Sequence, residues 1–122
     1  MGTRSRIALQ TKKTLRSIYV HWDGHPSHHA PILLDHYNTP DSVATLIGLG
    51  DMSALSRDMS ICQPYNDSPA TTHPDLEHLI DWSANCNAEY TYLFTKGKWQ
   101  ICEPGGGWQD LYLRYVTERI IA

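Results

Sequence analysis

Phenylalanine is nearly missing from this 122-residue chain: Phe94 stands alone beside seven tyrosines and four tryptophans. Such amphipathic rings suit half-exposed surfaces as well as cores, because each carries a polar handle. Cysteine is scarce too. Cys62, Cys86 and Cys102 are odd in number and lack CxxC spacing, which argues against a disulfide framework and for reduced, mostly buried thiols. No apolar run approaches the roughly 20 residues that span a bilayer. Met1-Gly-Thr-Arg-Ser-Arg6 leads into a polar stretch rather than a secretory signal, so a cytoplasmic protein with no membrane partner is expected. A basic excess is also lacking. The formal net charge of −3 opposes nonspecific nucleic-acid binding, which needs a cationic surface to displace counterions. Arg4, Arg6, Lys12, Lys13 and Arg16 crowd the first 16 residues and read as a solvated hairpin. Catalytic signatures are absent as well: there is no HExxH, and Pro104-Gly-Gly-Gly107 lacks the Lys-Ser/Thr of a phosphate loop.

What is present describes one ordinary domain spanning 1–122. Hydrophobic residues make up 41% and charged residues 19%, which fits a packed chain and not a disordered one. A chain of this length buries roughly two-thirds of its unfolded surface, enough for a core without staples. Alternation in 4–10 and 15–22 around Thr11-Lys-Lys-Thr14 predicts an N-terminal hairpin over 4–23. Helices are expected within 28–55: one over His28–Tyr37 capped by Ser27, one opened by Thr39-Pro-Asp41, and a short turn at 51–55. Residues 56–74, with Pro64, Pro69 and Pro74, read as an irregular loop. A short helix over 75–84 follows, then a second hairpin over 89–103 turning at Lys96-Gly97. The last helix covers 108–121, with Leu111, Tyr112, Tyr115, Val116 and Ile120 as its stripe. The expected fold is α+β: two β-hairpins in an antiparallel sheet of about four strands, helices packed on one face.

The polar stretch after the second strand is the candidate site. His21, Asp23, His25, His28 and His29 fall within nine residues, a composition that suits a divalent metal. Their spacing matches no zinc signature, so surface and capping histidines are the preferred reading, with no cofactor expected and a metal held as the alternative. Tyr19, His21 and Asp23 share one strand face by alternation. A pairing of His36 with His21 or Asp23 across the strand–helix junction completes the set of binding candidates: Tyr19, His21, Trp22, Asp23, Gly24 and His36. No residue is assigned a catalytic role.

Met1-Gly-Thr-Arg-Ser-Arg-Ile7, Ser17-Ile-Tyr-Val-His-Trp-Asp-Gly-His-Pro-Ser27, Ile32-Leu-Leu-Asp-His-Tyr-Asn38 and Tyr90-Thr-Tyr-Leu-Phe94 together resemble a family of small uncharacterised proteins of tailed bacteriophages and prophages. A tyrosine is more usual in that family where His25 stands, and a glycine near His29 or Ala30, so the dense histidine cluster departs from its pattern. The resemblance implies a viral accessory protein in the cytoplasm of the infected bacterial host. Its expected partner is a host or defence-system protein, which it inhibits or modulates without chemistry of its own. A protein that binds a small nucleotide or a metal through the His-Trp-Asp-Gly turn is the alternative, and the surplus of tyrosine leaves a homodimer open.

Overall fold

The computed structural model describes residues 3–121. Met1 and Gly2, which open the family-like motif, and the side chains of Arg119, Ile120 and Ile121 lie outside what it describes. In chain order the elements are β1 (Ser5–Gln10), β2 (Leu15–Val20), α1 (Pro26–His36), α2 (Pro40–Gly48), a single 3₁₀ turn (Met59–Ile61), β3 (Thr71–Thr72), α3 (Leu76–Asn85), β4 (Tyr90–Thr95), β5 (Lys98–Cys102), β6 (Gln109–Asp110) and α4 (Leu111–Ile121). The class is α+β, as expected. The sheet is larger than expected and mixed: six strands in the order β3-β2-β1-β4-β5-β6. Both hairpins are antiparallel, but β1 and β4 join them in parallel, Ile7 opposite Tyr92 and Leu9 opposite Phe94. A parallel neighbour requires a long crossover, here the whole stretch from β2 through α3.

The helices occupy both faces of the sheet, which corrects the one-faced expectation. Ile7, Leu9, Ile18, Val20, Tyr92, Phe94, Trp99 and Ile101 face α1, α2 and α4 through Ala30, Leu33, Val43, Leu46, Ile47 and Leu111. The alternate residues Ala8, Leu15 and Leu93 meet Leu79 of α3 on the other side. Polar residues at alternate strand positions masked this second core. Arg6 is the sharpest case: expected on a solvated hairpin, it is only 3% exposed.

Several boundaries shift for local reasons. The first helix begins two residues early because His25, not Ser27, is its cap: the His25 ring accepts from the Ser27 amide and Pro26 takes the first helical position. The second helix follows its signal, with a capping box between Thr39 and Ser42. Residues 51–55 are not helical. Met52 lies beside Val20, its amide donating to the Tyr19 carbonyl while its own carbonyl accepts from the His21 amide. The irregular segment thus covers the β2 edge, where unpaired backbone would otherwise invite other strands. The last helix starts at Leu111, three residues later than expected. Trp108 instead packs with the α3-side core, and Gln109–Asp110 pair with β5. At the second hairpin both Lys96 (φ 52°) and Gly97 (φ 78°) are left-handed, the tight turn expected there.

The buried Leu79 tests the second face directly. Leu79→Ala should lower the unfolding free energy by about 2–5 kcal/mol in urea titrations. A loss within about 0.5 kcal/mol, typical of surface positions, would mean that α3 does not cover the sheet.

Candidate functional site

Strand β2 ends at Val20, and the next four residues form the His-Trp-Asp-Gly turn. The Tyr19 hydroxyl and His21 Nδ1 are 2.7 Å apart, and Trp22 meets the His21 ring edge-on at 4.7 Å. Burial holds the Tyr19 phenol above its ordinary pKa, so the group that hydrogen-bonds the imidazole is the neutral hydroxyl. Asp23 adopts a left-handed backbone (φ 59°). Gly24 serves packing. Its amide donates to the Thr3 carbonyl and its carbonyl accepts from the Tyr92 hydroxyl at 2.6 Å. A Cβ at Gly24 would lie 2.7 Å from the Thr3 oxygen and 2.8 Å from the Ser5 Cβ.

The remaining candidates separate. His25 caps α1 and packs against Tyr90. His28 bonds to the fully buried His29, Nδ1 to Nδ1 at 3.0 Å, and His29 Nε2 meets Ser5 Oγ at 3.1 Å. His36 is exposed on α1 and lines a shallow cleft with His28, Asp35 and Arg57, away from His21 and Asp23. Among the described residues no three His, Cys, Asp or Glu side chains stand together as a metal site. Consecutive residues in a turn and on a helix point in different directions, so closeness in sequence did not bring the five donors to one point.

A second histidine pair, missed in the sequence, lies on the α3 face. Ser17 Oγ is 2.6 Å from His73 Nε2 and 2.9 Å from Arg6 Nε, and His73 Nδ1 is 2.8 Å from His78 Nδ1. Arginine only donates, so Ser17 Oγ accepts from Arg6 Nε while it hydrogen-bonds His73 Nε2, and the other nitrogen of that ring hydrogen-bonds His78. Arg6 also donates to the Ser17 carbonyl, Thr71 Oγ1 and Cys86 Sγ. The Trp82 ring stacks on His78 at 5.4 Å. The i, i+4 spacing of His78 and Trp82 was a readable signal for that contact. The bonds from Arg6 and Ser17 to residues of 71–86 had no local signal.

The geometry of Ser17, His73 and His78 resembles a nucleophile with its base and orienting group. Ser17 and its neighbours are inaccessible, however: Ser17 is 0% and Arg6 3% exposed. The Ser17 oxygen is committed to Arg6, so no substrate carbonyl can approach it. The cluster instead lies between two groups of rings. Tyr19 stands directly opposite Arg6 on the neighbouring strand and meets His21, which meets Trp22. His73, hydrogen-bonded to Ser17, meets His78 and Trp82. Trp22 is 46% exposed and Trp82 41%, and Tyr65, close enough to Tyr19 to raise its pKa, is also exposed.

Compared with protein-family models, with curated proteins and with solved structures, the chain matches none.

Two measurements follow from the site. Burial, with the His28 ring adding to it, lowers His29 to about 3, and burial with Arg6 and His78 lowers His73 to about 4. Both rings are neutral when folded, while an unfolded histidine binds a proton near pH 6.5. The unfolded state therefore holds more protons, and stability must fall as pH drops from about 6.5 towards those values. The decline between about pH 6.5 and 5 should be shallower in His29→Gln and His73→Gln, and unchanged slopes in urea titrations would contradict the neutral assignment. Gly24→Ala should cost about 1–3 kcal/mol of stability through the clash with Thr3 and Ser5, whereas a purely surface turn would tolerate it.

Proposed function

We propose that the chain is a small accessory protein of a tailed phage or prophage that binds a protein of the host cell or of its defence machinery. It acts in the cytoplasm of the infected bacterium, without catalysing a reaction. The origin rests on the sequence resemblance. The binding reading rests on one observation: Trp22, Tyr65 and Trp82 are exposed around a face whose inner members are fixed by hydrogen bonds.

Exposed tryptophan and tyrosine beside arginine match the residues that dominate protein interfaces. The rings behind them are already held: Tyr19 by His21, His78 by His73. A surface ordered in advance loses less conformational entropy on binding. A nucleotide is the second reading, favoured by Arg4, whose charge acts on Tyr19 beside the His21 and Trp22 rings. That set offers a cation for a phosphate and π-faces for a base.

The immobilised chain should capture a host protein in a fixed ratio. Trp22→Ala and Trp82→Ala should each weaken that complex at least tenfold, with thermal unfolding unchanged. Tyr112→Ala, on α4 across the sheet, should leave the affinity as it was. Tryptophan variants that bind like the parent would refute the assignment of this face, and saturable quenching of tryptophan fluorescence by a nucleoside phosphate would favour the second reading.

A further inference from the structure

All four lysines of the chain lie in or beside two turns far apart in sequence: Lys12 and Lys13 in one, Lys96 in the other with Lys98 opening the strand after it. The parallel pairing of β1 with β4 sets Leu9 opposite Phe94, so both turns emerge at the same end of the sheet. Neither hairpin supplies an acid there. No Asp or Glu occurs between Thr3 and Trp22 or between Tyr90 and Cys102. Among the described residues the ion pairs are those of Arg114 with Glu103 and Glu118, and no lysine takes part in one. The nearest acids come from other elements: Asp75 lines a neighbouring cleft with Lys12 and Lys13, and Asp41 follows Pro40. Neither forms an ion pair with a lysine, so the two turns keep an excess of positive charge.

A cavity of about 600 Å³ opens at this end, lined by Leu9, Pro40, Phe94, Thr95, Lys12 and Lys96 among others. Its size falls within the range of small-molecule sites, roughly 300–1,000 Å³. Leu9 and Phe94 are buried core residues, and Pro40 contributes an apolar wall from the start of α2. The Gln10 side-chain oxygen accepts from Thr95 Oγ1 at 3.1 Å, so it does not stand free to repel an anion. Pro40, the first residue of α2, has no N–H, and the Ser42 amide donates to Thr39 Oγ1 in the capping box. The positive groups at the cavity are therefore two ammonium groups, each able to meet one oxygen of a carboxylate head.

We propose that this end of the sheet binds a small amphipathic carboxylate, its apolar body on Leu9, Pro40 and Phe94 and its head between Lys12 and Lys96. The proposal is independent of the rings on the α3 face. Decanoate, used below its micelle concentration, is the probe, with decanol as its uncharged counterpart. Calorimetry should show one decanoate per chain, bound at least tenfold more tightly than decanol. Amide shifts in NMR spectra should concentrate at Leu9, Phe94 and Gly97. The double variant Lys12→Gln/Lys96→Asn should bind decanoate at least tenfold more weakly; asparagine is chosen because it tolerates the left-handed backbone of residue 96. Should that variant fail to fold, Lys12→Gln alone, in an exposed turn, should weaken binding at least threefold. Absence of saturable binding, equal affinity for decanol, several ligands per chain, or lysine variants that bind like the parent would each overturn the proposal.

Discussion

The parallel contact between β1 and β4 is the constraint on which the rest of this structure depends. Each hairpin alone is a two-stranded ribbon, too small to be stable in water. Joined edge to edge they make a sheet whose central strand, β1, is buried along nearly its whole length, from Ser5 through Leu9. Burial on both sides demands cover on both sides. Helices α1, α2 and α4 supply it over Ile7 and Tyr92, and α3 over Ala8 and Leu93. The same contact brings the two lysine-bearing turns to one end of the sheet.

Polar residues on so buried a sheet need partners, and the chain supplies them in two similar ways. Ser5 meets the inner member of a histidine pair on the α1 face, and Ser17 meets another on the α3 face. In each pair the inner ring is buried and the outer one reaches towards solvent, so the inner ring stays neutral and its two nitrogens are both satisfied. Arg6 has no carboxylate beside it and spreads its donors over Ser17, Thr71 and Cys86 instead. Removing one such acceptor would leave a buried donor unmatched, which costs more than the bond itself contributes. These networks are thus fixed parts of the core, and the one on the α3 face also meets the exposed Trp82 ring through His73 and His78.

The candidate turn shows how a dense sequence motif divides its labour once folded. Gly24 and His25 maintain the turn and the helix start, His29 belongs to the core, and Tyr19, His21 and Trp22 remain as a surface group. The face they form extends to His73, His78 and Trp82 only because β2 lies between β1 and the segment leading into α3.

Local chemistry in the sequence determined both hairpins, the Lys96-Gly97 turn, the Thr39-Pro40 helix start, and the cores of Ile7, Ile18, Tyr92 and Trp99. Each follows from residue spacing or turn conformation within a few positions. It also determined that Tyr19 and His21 would share a face, since side chains alternate along a strand. The tertiary structure decided the rest: the parallel joining of the hairpins, the second helical face, the burial of Arg6, the pairing of Ser17 with His73, and the dispersal of the five clustered metal-donor candidates. Those outcomes depend on contacts between residues dozens of positions apart. Alternation and helical period specify which residues share a face, but not which distant element will cover it.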